Sequence, residues 1–214
     1  MDIRLILIQA FVILFAITIH EAAHAWTALK FGDPTAASLG RVSLNPLVHI
    51  DLIGTVLFPL ILILFKMPVF GWAKPVPYDP RNLRRPRQGG LWISFAGPIA
   101  NILTAAAAVL LFQVLKLVGA GVQESSLLTK PLVGVGTILY VTALINISLA
   151  VFNLIPIPPL DGSGILAGLL SEKAAAQYER IRPYGFFILI LLMYSRIPSL
   201  IFSPILNMVS RLFS

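Results

Sequence analysis

The chain has 214 residues, 57% of them hydrophobic and only 12% charged, with a mean hydropathy of +0.89. Soluble domains carry about a quarter charged residues, so the composition excludes a soluble globular protein and favours an all-α multispan membrane protein. The absence of cysteine rules out disulfides, thiolate catalysis and cysteine metal sites, and the net charge of +7 fits basic loops facing anionic headgroups better than a nucleic-acid partner.

Residues 4–30 form the first predicted span. It reads as a retained span rather than a signal peptide, because more membrane follows it. Residues 31–49 are a polar connection with turn signals at 32–34, Gly40 and 45–46. Residues 52–65 are apolar but shorter than the ~20 residues of a full crossing, and Pro59 lies inside. Residues 66–90 carry five prolines and a strongly basic run, and are expected to be extended. Two further spans are expected at about 91–118 and 132–155, then a polar helix at 163–182, another span at 184–202 and an interfacial tail at 203–214. The count is about 4–6 transmembrane helices, in one integral-membrane domain over 1–214, with no repeats. The ~10-residue alternating segments of a β-barrel do not occur.

The first span carries costly side chains. Its only polar residues between 3 and 29 are Arg4, Gln9, Thr18, Thr27 and the trio His20, Glu21 and His24. On a helix, His20 and His24 lie on one face about 40° apart, with Glu21 beside them. Two imidazoles at i and i+4 bind a divalent metal, and the neighbouring glutamate can take a proton from water. The bland alternative is an inward-facing cluster that glues helices together. An added carboxylate inside lipid favours the metal. Zinc with an open position needs a third protein ligand. His49 lies in a loop, and the candidate carboxylates are Asp51 and Asp161. Asp161 by itself reads as a helix N-cap. It follows Pro156, Pro158 and Pro159, which break the helix, and broken backbone at membrane depth is tolerated where it lines a buried site. Beside a two-histidine site short of a ligand, Asp161 is the preferred third ligand. Gly162 and Gly164 are read as permitting a tight turn.

Four motifs, "HEAAH" at 20–24, "GWAKPVP" at 71–77, "AGPIAN" at 96–101 and "NLIPIPPLDG" at 153–162, occur in this order over most of the chain. With them the sequence resembles the site-2 proteases, intramembrane zinc metalloproteases. The resemblance implies one Zn2+ per chain held by His20, His24 and Asp161, with Glu21 as general base. It implies that Asn153 contacts the substrate backbone near the scissile bond, and it matches Gly97 and Asn101 to a Gly-x-x-x-Asn pattern in the core span. Asn153, Asn101, Gly97, Trp72 and Lys74 form the candidate substrate-binding set. Interhelical hydrogen bonding is the other reading of Asn101 and Asn153, and a plain proline-rich loop that of 71–77. The edge reading of 71–77 is strand addition with an unwound substrate. No stretch is long and polar enough for the PDZ or CBS domains of many relatives.

Zinc ligands must share one depth. The spans holding His20 and Asp161 should therefore run parallel, with one crossing between them. Residues 50–90 must then enter and leave on the same side, as a re-entrant or extended element. Eleven basic residues on that side (Lys30, Arg41, Lys66, Lys74, Arg81, Arg84, Arg85, Arg87, Lys173, Arg180 and Arg182) face three on the other (Arg4, Lys116 and Lys130). This places the site in the cytoplasmic half of the cell membrane. The expected activity is intramembrane endoproteolysis of transmembrane-helix substrates. The rivals are a divalent-metal transporter and a non-catalytic receptor of the same fold. The sequence leaves the oligomeric state open.

Overall fold

A computed structural model describes residues 2–65, 71–120 and 129–213. The spans form as the hydropathy predicts. Helix α1 (Ile3–Lys30) is capped by Asp2, whose carboxylate accepts from Arg4 N at 2.9 Å. Its 28 residues rise about 42 Å, more than the ~30 Å hydrocarbon core. Among the described residues, helices α4 (Pro86–Gly119) and α5 (Thr129–Asn153) are the other two long enough and apolar enough to cross. Before α4 come the short α2 (Thr35–Ser38), a π-helical turn Leu52–Leu57 and α3 (Phe58–Leu64). After α5 come α6 (Asp161–Leu169), α7 (Glu172–Glu179), α8 (Gly185–Tyr194) and α9 (Ile197–Leu212). The expected single span at 184–202 is instead broken: Glu172–Tyr194 and Ile197–Leu212 meet at a bend of 66°. Counting that pair as one span gives up to four crossings.

Helix α4 packs against α1, α5 and α6. Small residues let the backbones approach: Ala16, Ala25 and Ala28 on α1, Gly97, Ala105 and Ala108 on α4, and Gly136, Ala143 and Ala150 on α5 are buried. Large apolar side chains such as Leu7, Phe11, Leu103, Leu110 and Val133 stay exposed on the outside of the bundle, where lipid would meet them. Helix α9 closes onto α5, with Val209 against Ala108 and Ala143, and Phe213 between the rings of Phe112 and Tyr140.

The connection between α1 and α4 begins and ends at one level. Asp33 is fully buried and accepts from Thr35 N and Oγ1, Asp79 N and Asn82 Nδ2, while Arg84 N donates to Phe31 O. The turn before it needs Gly32, whose φ is +107°. Within the connection, residues 71–74 run back antiparallel along 49–55. Trp72 N donates to Gly54 O at 3.1 Å and Lys74 N to His49 O at 3.0 Å. The described parts of the connection thus start and end together, with 71–74 paired to 49–55.

At the far end of α5, residues 154–160 leave the helix and α6 starts afresh at Asp161. Gly162 has no left-handed φ and makes no tight turn. A Cβ there would lie 2.5 Å from Ile155 O, so the glycine allows close packing of α6 on the end of α5. Arg87 of α4 secures the other end of α6, donating to Gly168 O at 2.9 Å and to Leu169 O at 3.2 Å, which satisfies carbonyls left open by the helix terminus.

Candidate active site

His20 and His24 face α4 from the C-terminal half of α1, both buried. Each Nδ1 is committed to an acceptor. His20 Nδ1–H donates to Asn101 Oδ1 at 2.6 Å and His24 Nδ1–H to Ile93 O at 2.6 Å. The Asn101 amide is oriented by its own donations, to Ala16 O at 3.1 Å and Asn146 Oδ1 at 2.8 Å. These partners fix both neutral tautomers, leaving each Nε2 with an outward lone pair. Pro98 has no N–H for the Ser94 carbonyl four residues earlier, so that carbonyl lacks its usual helical donor.

The two Nε2 atoms lie 3.1 Å apart. Asp161 completes the cluster, with Oδ2 3.0 Å from His20 Nε2 and Oδ1 3.3 Å from His24 Nε2. Although Asp161 is the first residue of α6, its side chain does not cap that helix. Among the described residues, buried Asp161 Oδ2 has no hydrogen-bond partner despite its short approach to His20. Two imidazole lone pairs and a carboxylate turned on one another repel unless a cation or protons lie among them. The three donor groups converge within 4.8 Å, and the donor set of two nitrogens and one oxygen suits a divalent ion of the zinc kind. His49 and Asp51, the other ligand candidates, are elsewhere: His49 Nε2–H donates to Ser43 O and Asp51 accepts from Gly54 N.

The cluster opens onto a cavity of about 710 Å³. Glu21 lines it half-buried, and among the described residues its carboxylate has no hydrogen bond or ion pair. Asn153, Trp72, Ala73 and Ser94 share the wall. Asn153 Nδ2 donates to Leu149 O at 3.0 Å, which holds its carboxamide in place on α5. Trp72 stacks against Phe58 over Gly54.

Three members of the predicted substrate-binding set sit differently from that expectation. Asn101 is fully buried away from the cavity, and its amide is spent on His20, Ala16 and Asn146, so the interhelical reading is the one its surroundings match. Gly97 lies behind the imidazoles: a Cβ there would be 2.5 Å from His20 Cε1 and from His24 Nε2. Lys74 is exposed and does not line the cavity; its backbone carries its contacts. Sequence reasoning missed Asn146 and Arg41. Asn146 is an asparagine inside an apolar span, a signal that could have flagged it.

The sequence profile of peptidase family M50 matches residues 8–194. Among curated proteins, the chain is 34% identical over 195 residues to "Putative zinc metalloprotease YwhC" of Bacillus subtilis (strain 168), covering 91% of this chain and 84% of that one. It is 31% identical over 180 residues to "Putative zinc metalloprotease Rip2" of Mycolicibacterium smegmatis, covering 84% of this chain and 64% of that protein. No solved structure matches. With nearly its whole length aligned to one peptidase profile, this multispan chain belongs to peptidase family M50, the site-2 protease family.

Proposed function

We propose that the protein is a zinc endopeptidase that cleaves transmembrane-helix substrates inside the cytoplasmic half of the cell membrane. The observation that carries this reading is the convergence of His20, His24 and Asp161 beside the unpaired carboxylate of Glu21 in one cavity. The names of both relatives support zinc as the metal. His20, His24 and Asp161 would hold it, and when bound it supplies Lewis-acid polarisation and lowers the pKa of water to ~7.

The chain's own groups do the rest. Glu21 takes the proton of the attacking water and returns it to the leaving amine. Asn101 and Ile93 O hold the imidazoles in the tautomer that presents Nε2. Asn153 offers its carboxamide to the substrate backbone. An intact helix hides its carbonyls in i→i−4 bonds, and in lipid each freed group costs several kcal/mol unless satisfied. The 71–77 segment beside the cavity can accept an unwound substrate as an added strand. Substrates with Gly or Pro near the scissile bond should therefore be preferred.

The test is a panel of synthetic single-span peptides in proteoliposomes with purified protein, with and without chelator. Chelator-sensitive cleavage within the apolar segment supports the reading. Absence of cleavage across the panel by zinc-loaded protein overturns it.

A further inference from the structure

Trp72 and Lys74 spend both backbone groups on the preceding connection, three of the four on residues 49–55 and the fourth on Arg41. Trp72 N donates to Gly54 O and its carbonyl accepts from Thr55 Oγ1 at 2.9 Å. Lys74 N donates to His49 O, and its carbonyl accepts from Arg41 Nη2. In an extended chain, successive residues point their N–H and C=O to opposite edges. Ala73, between the two, must aim the other way. It lines the cavity, and its N–H and C=O have no partner among the described residues. The open edge beside Glu21 therefore exists because the opposite edge is filled.

Arg41 is the unusual part of that filling. It is 4% exposed, and its Nε and Nη1 have no hydrogen-bond partner among the described residues. Burying a guanidinium with two idle donors is costly. Packing alone would be better served by an apolar residue. Its one bond goes to the peptide that fixes the edge. Burial disfavours its charge and the carboxylate of Glu21 favours it, without an ion pair between the two among the described residues.

We propose that Arg41 is a positioning residue for substrate binding: by pinning the Lys74 carbonyl it holds Ala73 turned toward the cavity, in register with Glu21. The inference rests on the endopeptidase reading above. Arg41 does not line the cavity, so its loss should weaken substrate capture and leave the chemistry of bound substrate nearly intact.

The experiment uses the full chain in proteoliposomes and the best-cleaved peptide of the panel. Cleavage of that peptide by the wild type, measured alongside, separates failure of this inference from failure of the endopeptidase reading. Steady-state kinetics of Arg41→Gln and Arg41→Lys are normalised to zinc-loaded protein. A second readout is disulfide capture of the same peptide carrying one cysteine near its scissile bond, using Ala73→Cys in the Glu21→Gln background. Loss of a charge-assisted bond predicts about a tenfold rise in KM for Arg41→Gln with kcat within about threefold, and about a tenfold loss of capture. Arg41→Lys keeps a donor and should recover part of both. Unchanged KM and capture overturn the proposal. So does a fall in kcat or zinc content with KM and capture per zinc unchanged, which marks a purely structural arginine. If Arg41→Gln yields no zinc-loaded protein, Arg41→Met, which keeps the apolar stem and has no donor, decides: a KM and capture equal to wild type overturn the proposal.

Discussion

Asn101 Oδ1 lies 2.6 Å from His20 Nδ1, and the same asparagine reaches across to Asn146 on α5. One amide thus links the first span, the central span and the third. In metal sites, partners of this kind set the tautomer and orientation of the ligand. Asn101→Ala should weaken zinc binding by roughly 10- to 100-fold, with cleavage per bound zinc much less affected. Competition with a chromogenic chelator measures the first and zinc-normalised kinetics the second. Unchanged affinity would detach Asn101 from the metal site.

Gly97 contributes by what it lacks. Its missing Cβ leaves the space that the two imidazole edges fill, 2.5 Å from where that carbon would sit. Gly97→Ala should push His20 and His24 apart and abolish stoichiometric zinc while leaving the helical far-UV spectrum intact. Elemental analysis beside circular dichroism checks it; full zinc content in the variant contradicts the packing argument.

On the proposed mechanism, Glu21 separates proton transfer from metal binding. Glu21→Gln preserves the shape of the side chain but cannot accept a proton. The expected result is full zinc content and a rate reduced by at least about 100-fold. A variant cleaving near the wild-type rate would show that another group is the base.

Asp33 gives a pH signature outside the spans. Burial pushes its carboxyl upward, but hydrogen bonds from Thr35, Asn82 and the Asp79 amide outweigh this and hold it below the ordinary aspartate value. A depressed native pKa means that the unfolded state binds the extra proton first. The stabilisation is therefore complete above the ordinary value of 3.8 and is lost as pH falls through the lower native one. Thermal unfolding in detergent should show wild type more stable than Asp33→Ala at neutral pH, with the gap closing in acid below that value. A gap independent of pH would show that the contacts act without the charge.

The parts of this site legible in the sequence are those set by local spacing. His20 and His24 fall on one face because they are four apart, and Asp161 stands out because the prolines before it end α5. Parity of crossings predicted that residues 50–90 enter and leave on one side; in the described part of that stretch Trp72 and Lys74 bond to 49–55, and Asp79 and Asn82 meet Asp33. What stayed hidden depends on long-range placement. Nothing within a few residues of Arg41 says that its guanidinium meets the carbonyl 33 positions later. Gly162 reads as a turn residue, yet its use is close packing on Ile155 O. The 66° break between α8 and α9 was invisible because both halves are apolar and only Ser195 and Arg196 separate them.

Asp161 belongs to a helix that begins only after the third long span has ended. On the ligand assignment proposed above, that order has a consequence for biogenesis. Ribosomes deliver His20, Glu21 and His24 to the bilayer first, among many other unfolded spans that are potential victims. Until α6 emerges and docks, these residues lack the carboxylate that completes the metal set. On that assignment the metal set stays incomplete throughout insertion and closes only with the folding of a late segment.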